Sequence, residues 1–211
     1  MSLKRENNYF NLVKERRSVR YYDPSITIPR EEMEEILTEA ALAPSSSNLQ
    51  PWRFLVIDEK ELKEKLHPIA NNQNQVLQAS AVIAVLGDMK WYEKGKEIYS
   101  QAYEAGLMTE DIKDRFIASS AMYHRLDDAK KKSIVDIDGG LVSMQLMLSA
   151  KARGYDTVPM GGFNAEKFKQ EFNVPDQYET IMLIAIGKAA NPGFPSVRLP
   201  LNEITFWNQI I

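Results

Sequence analysis

Arg16-Arg17-Ser18-Val19-Arg20 places three guanidiniums and a hydroxyl side by side, directly after a short amphipathic stretch around Phe10, Leu12 and Val13. A guanidinium presents a planar fork of donors that matches phosphate oxygens, and a serine hydroxyl can bond either a phosphate oxygen or an alcohol. The segment therefore suits a phosphate with an attached polyol, and it equally suits a solvated basic cluster ending a helix. A second segment, Pro44-Ser45-Ser46-Ser47-Asn48-Leu49-Gln50-Pro51-Trp52, is a polar loop with a proline near each end. Asn48, Gln50 and the serines offer the neutral donors and acceptors that a flat heteroaromatic ring with carbonyls and a ring N–H requires. Ser and Asn are also ordinary turn residues. In Val158-Pro159-Met160-Gly161-Gly162-Phe163 an apolar run ends in paired glycines. Such a turn lets backbone approach a ligand and present an N–H to a ring nitrogen or a developing anion, and it also serves as a tight strand-to-helix connection. Arg198 stands in an otherwise apolar tail, where a lone arginine is most often a surface residue.

These segments need elements to hold them. Pro29 opens a helix with Glu31 and Glu32 in its first turn, and Met33, Ile36, Leu37, Ala40 and Ala41 form its apolar face until Pro44 stops it. Residues 52–57 are short, aromatic and β-branched, which predicts a strand, and Asp58 with Glu61 predicts a capping pair for the helix that follows. The runs 81–86 and 181–186 read as buried strands, being far below the ~20 apolar residues of a membrane-spanning helix. Residues 89–123, rich in Tyr and charge, read as a helical excursion broken near Gly95 and Gly106. A long helix follows, with Ile134, Ile137, Leu141, Met144 and Leu148 on one face, small or apolar residues on others, and Gly154 at its end. Residues 155–159 and 180–187 complete the strands, with Asn164 capping the helix between them. The tail, 192–211, carries Phe194, Leu199, Leu201, Ile204, Phe206 and Trp207 without regular pattern, so it needs another surface to cover it. The mixture gives an α+β or α/β three-layer sandwich.

The chain has 211 residues, 44% hydrophobic and 26% charged, which is the composition of a globular domain. With 26 Lys+Arg against 29 Asp+Glu the formal charge is −3, so no nucleic-acid or membrane-surface footprint is expected. Cysteine is absent, which removes disulfides and thiolate chemistry and agrees with a reducing compartment. The first residues lack an apolar leader core, so the expected location is the cytoplasm. His67 and His124 stand far apart with no metal-ligand spacing, and no metal site is expected.

Taken in order, these segments resemble the nitroreductase family of FMN enzymes, and the resemblance extends over nearly the whole chain. It implies one FMN-binding domain over 1–211, with the excursion at 89–123 and a tail at 192–211 that wraps a second subunit. The fold implied is an α+β, three-layer α-β-α sandwich with a central mixed sheet, built as an intertwined homodimer. By that resemblance Arg16, Arg17, Ser18 and Arg20 bind the FMN phosphate, ribityl chain and pyrimidine edge, and Arg198 adds a C-terminal phosphate contact. Pro44, Ser45, Ser46 and Asn48 reach the flavin of the other subunit. Asn72 and Gln75 fall where the family contacts the flavin ring. Pro159, Met160, Gly161 and Gly162 cover one flavin face, Gly162 giving its N–H to N5. The chain departs from well-studied members at Gly161, where they carry glutamate, and at Ser196, where they carry lysine, a charge that Lys188 can supply instead. The activity implied is ping-pong hydride transfer from NADH or NADPH through flavin N5 to nitroaromatic, quinone or similar small oxidised acceptors. Chemistry on the flavin itself needs no catalytic side chain. Reductive dehalogenation, flavin breakdown and non-catalytic flavin binding remain alternative roles of the same fold.

Overall fold

The computed structural model of the chain describes residues 8–210. Residues 1–7, read above for a leader, and Ile211, the end of the tail, lie outside the described residues. Four strands, β1 (Trp52–Ile57), β2 (Ala81–Asp88), β3 (Asp156–Met160) and β4 (Tyr178–Gly187), form a sheet in the order β1-β2-β4-β3. Every pairing between them is antiparallel. The mixed character expected of the sheet is confined to one parallel bridge, between Ser18 and Thr157, where the arginine segment runs beside β3. The helices are α1 (Tyr9–Glu15), α2 (Arg30–Ala40), α3 (Lys60–Ile69), α4 (Gln75–Gln78), α5 (Gly95–Glu104), α6 (Glu110–Ala121), α7 (Asp128–Ala152) and α8 (Ala165–Glu171).

Successive strand side chains point to opposite faces. Val82, Ala84 and Leu86 of β2 and Leu183 and Ala185 of β4 accordingly pack with Leu66 of α3, Val76 of α4 and Phe168 of α8. Their neighbours Ala81, Ile83, Val85, Ile184 and Ile186 pack with Met33 and Ile36 of α2 and with Val142 and Leu146 of α7. Helices on both faces make the three layers. They also explain why residues 81–86 and 181–186 are unbroken apolar runs, since both faces of these strands are covered over most of their length.

Helix α2 buries Met33, Ile36 and Ala40, with Pro29 just before its first residue. Helix α3 starts at Lys60 with Glu59 at its cap and no side-chain cap bond, so the expected Asp58–Glu61 pair does not form. That pairing needs the helix to begin one residue earlier. Asn164 does cap α8, its side chain accepting the Lys167 N–H at 2.9 Å. Gly106 and Gly154, after α5 and α7, have φ of +73° and +85°, the left-handed breaks expected of them.

Helix α7, apolar on several sides, buries only part of its surface within the chain. The stripe it buries within the chain is Val135, Asp138, Gly139, Val142, Ser143, Leu146, Met147, Ser149 and Ala150. The bulky stripe turns away, with Ile137 62% and Leu141 42% exposed. Small residues on the sheet side let the helix lie close to the strands, and a second apolar face is left over. The tail is also uncovered, Trp207 being 81% exposed.

Candidate functional site

Edge strand β3 organises the site. The chain leaving α1 runs extended beside it, with Val19 N–H donating to Thr157 O (3.1 Å), Asp23 N–H to Lys188 O (2.9 Å) and Ala190 N–H to Tyr21 O (2.9 Å). Val19 and Tyr22 are buried, which leaves Ser18 and Arg20 on the open side of this extended segment. The tail then crosses the same segment. A Cβ on Gly193 would lie 2.4 Å from Arg17 Cβ and 3.1 Å from Ser18 O, so only glycine permits this crossing. Gly193→Val is expected to lift the tail and to speed tryptic cleavage after Arg198, followed by mass spectrometry of a timed digest.

The crossing creates a cavity of about 330 Å3 lined by Arg16, Arg17, Ser18, Arg20, Phe194, Pro195, Ser196 and Arg198. The two arginine motifs at opposite ends of the chain thus meet. No carboxylate lines the cavity. The ion-paired arginines among the described residues are Arg30, Arg53 and Arg153. Those of the cavity have only neutral partners: Arg17 donates to the carbonyls of Lys14 (2.6 Å) and Arg16 (2.8 Å), and Arg198 to Ser196 Oγ (2.9 Å) and Val197 O (2.8 Å). Burial, then repulsion from Arg17 and Arg198, lowers the Arg16 pKa. Like charges gathered without counter-charge can hold an anion, and the fork geometry of arginine suits a phosphate or a carboxylate. Lys188 is not part of it; its ammonium donates to Gly154 O at 3.2 Å, beside the end of α7.

A second group lies at the far end of β3. Asn71 Nδ2 and Gln73 Nε2 both donate to Gly162 O, at 2.9 and 3.1 Å. Gln75 Nε2 donates to Gln73 Oε1 at 2.8 Å and lies 3.4 Å from Met160 Sδ. Asn71 and Asn72 both have φ of +55°, a conformation asparagine tolerates better than most residues. Two amides therefore fix the Gly162 carbonyl, while the Gly162 N–H, on the preceding peptide, has no partner among the described residues. No atom lies within 4 Å of a Cβ placed on Gly161, so the turn faces open space. Asn72 is exposed, whereas Gln75 lies buried beneath the loop. Asn71 and Gln73 were not singled out from the sequence, because the order of amides in N-N-Q-N-Q does not say which face the turn. Thr157 and Met160 are separated by about 10 Å along β3 at ~3.3 Å per residue. The site can therefore hold an elongated ligand, with phosphate at one end and a hydrogen-bonding ring at the other.

The loop 44–52 stands apart from both groups. It enters β1, at the opposite edge of the sheet from β3, about 14 Å away at ~4.8 Å per strand spacing. Within one chain Pro44, Ser45, Ser46 and Asn48 do not line the arginine cavity. Their conformation is nonetheless held tightly: Tyr99 Oη donates to Ser47 O (2.6 Å), Ser47 Oγ and Tyr123 Oη lie 2.9 Å apart, and Gln50 N–H donates to Ser45 Oγ (3.0 Å). Asp138 of α7 accepts the Ser46 N–H at 3.0 Å. Asp138 belongs to no motif, and its signal in the sequence is an aspartate in the stripe of small residues, next to Gly139.

The chain is thus a three-layer sandwich whose sheet edge carries an arginine-lined cavity at one end and an open glycine turn at the other. The nitroreductase family pattern matches residues 13–188, and the chain belongs to that family. YdgI of Bacillus subtilis, a candidate NAD(P)H nitroreductase, is 51% identical over 204 residues, covering 95% of this chain and 98% of its own. A crystal structure of a candidate nitroreductase in complex with FMN from Exiguobacterium sibiricum superposes with a TM-score of 0.94 at 49% identity, covering 98% of this chain and 100% of that one. The CLA biosynthesis enone reductase of Lactiplantibacillus plantarum is 34% identical, over 91% of this chain and 90% of its own. No helix among the described residues is long and apolar enough to cross a membrane.

Proposed function

We propose that the chain binds FMN and, as a homodimer, reduces nitroaromatic, quinone or similar small oxidised acceptors with NADH or NADPH. The observation that carries this reading is the cavity of Arg16, Arg17, Arg20 and Arg198, which gathers guanidiniums without a carboxylate. Its charge, together with the Ser18 hydroxyl, fits the phosphate and polyol of FMN. The complex with FMN formed by the structure at 49% identity supports the same assignment.

Bound there, FMN would supply the redox chemistry that carries hydride from NADH or NADPH to the acceptor, in the proposed ping-pong order. The residues of the chain bind and orient. Arg16, Arg17, Ser18, Arg20 and Arg198 hold the phosphate end. Asn72 offers an amide to the ring, and Gln75 positions the loop under it. Pro159, Met160, Gly161 and Gly162 form the wall over one ring face, with the unpartnered Gly162 N–H as the donor to N5. Rigid donors of this kind stabilise developing negative charge without reorganising. Pro44, Ser45, Ser46 and Asn48 serve the flavin bound mainly by the other copy, a reading that their distance from the chain's own cavity supports. The bare face of α7 and the uncovered tail supply the dimer contact.

Anaerobic addition of NADH or NADPH to the flavin-loaded protein is expected to bleach the oxidised-flavin absorbance, and a quinone or nitroaromatic should restore it. Initial rates with both substrates varied should give parallel double-reciprocal lines. Flavin that neither nucleotide reduces would overturn the reading.

A further inference from the structure

Asp138 has a burial and a set of partners that neither the packing of α7 nor the phosphate site requires. It is 1% exposed in the middle of a helix that otherwise turns small and apolar residues to the sheet. A buried carboxylate without a cation is costly, and Asp138 has no ion-pair partner among the described residues: its acceptors are used by Ser46 alone. Oδ2 and Oδ1 take the Ser46 N–H at 3.0 and 3.2 Å, and Oδ1 takes the Ser46 hydroxyl at 3.3 Å. Burial raises the Asp138 pKa, the Ser46 bonds opposing the shift. The sign follows: a raised carboxylate pKa means that the ionised form costs the folded state stability at neutral pH.

What that cost maintains is an unusual backbone. Ser47, Asn48 and Gln50 have φ of +54°, +52° and +46°, a region that non-glycine residues occupy at a cost of order 1 kcal/mol or more each. Asp138 grips the start of this stretch, while Tyr99 holds the Ser47 carbonyl. The result leaves Asn48 exposed, beside a Ser45 hydroxyl already engaged by Gln50 N–H. One residue before Asp138, about 100° around the helix, Ile137 begins the bare stripe with Leu141 and Met144. A single turn of α7 thus touches both the loop and the face assigned to the second copy.

We infer that Asp138 is a positioning residue, whose buried carboxylate fixes the left-handed loop so that Ser45, Ser46 and Asn48 meet the flavin of the other copy. This rests on the proposal that the loop serves that flavin. Asp138 touches no cofactor; it acts through Ser46.

The test compares Asp138→Asn, Asp138→Val, Asn48→Ala and the Asp138→Asn/Asn48→Ala double variant as full chains. Flavin release from each loaded protein is followed by the rise of free FMN fluorescence on dilution, beside the melting temperature of the flavin-free protein. Asp138→Asn keeps the volume and one acceptor but not the charge. It is expected to speed release about tenfold, as loss of a hydrogen bond to a charged group does, while the melting temperature holds or rises. The double variant should release flavin no faster than the faster single variant by more than about twofold, since both act through one loop. Asp138→Val should release faster still; if it fails to fold, Asp138→Asn decides. Unchanged release in Asp138→Asn beside faster release in Asn48→Ala overturns the inference and leaves the loop assignment standing. Fully multiplicative effects also overturn it. Unchanged release in Asn48→Ala takes Asn48 off the flavin and overturns both.

Discussion

Arg16→Ala is expected to weaken FMN binding by about 10- to 100-fold, measured by quenching of FMN fluorescence at fixed ionic strength. A charge-assisted hydrogen bond to phosphate is worth about 1.5–3 kcal/mol, and each 1.4 kcal/mol is about tenfold. Arg16 lies beside Arg17 and Arg198, with no carboxylate in the cavity to compensate for its removal. The same surroundings predict a second, opposite effect. Burial and the two neighbouring arginines lower the Arg16 pKa in the folded chain. A base with a lowered pKa costs stability wherever it remains protonated, which here includes the whole neutral range. The flavin-free Arg16→Ala protein should therefore melt at or above the temperature of the parent, while the flavin-loaded form loses the stabilisation that bound ligand provides. Arg30→Ala is the control, because Arg30 pairs with Glu34 on an exposed helix face and lies outside the arginine cavity; its flavin affinity should not change. A fall in both melting temperatures with unchanged affinity would assign Arg16 to the scaffold instead.

The meeting of Arg16 and Arg198 is legible in the sequence only through resemblance. Composition alone left each arginine segment as readily a surface feature. The physical link is Gly193, whose missing Cβ lets the tail cross Arg17, and a single glycine in N-P-G-F reads as a turn. Strand positions were the most legible, because residues 52–57, 81–86 and 180–187 are apolar and β-branched and sit in the middle of three layers. Helix α7 shows the limit of periodicity. Its sequence carries two stripes set about 100° apart, and hydrophobicity favours Ile137, Leu141 and Met144. The sheet instead takes the stripe with Gly139, Ser143 and Ala150, because closeness to the strands matters as much as side-chain bulk. Loop residues 45–50 were legible as a group, yet nothing in P-S-S-S-N-L-Q announces three positive φ angles or a carboxylate reaching them from residue 138.

The unused stripe leads to the other large effect. Leu141→Glu is expected to convert the protein from dimer to monomer at micromolar concentration, read by sedimentation velocity, and to cost most of its FMN affinity. Leu141 lies one helical turn from both Ile137 and Met144, and all three are exposed in the single chain. Phe10 and Val13 of α1 are exposed as well. A buried charge without a partner at the middle of an apolar contact costs several kcal/mol, and centrally placed residues dominate interface energy. The substitution should spare the fold, since the Leu141 side chain does not enter the sheet-facing core. The loss of flavin is expected from the proposed sharing of the site: a monomer keeps the arginine cavity but lacks the Ser45, Ser46 and Asn48 of a second chain. Dimers that persist in Leu141→Glu would place the contact on another face. Monomers that hold FMN as tightly as the parent would show that one chain completes the site, and the loop would then need a different role.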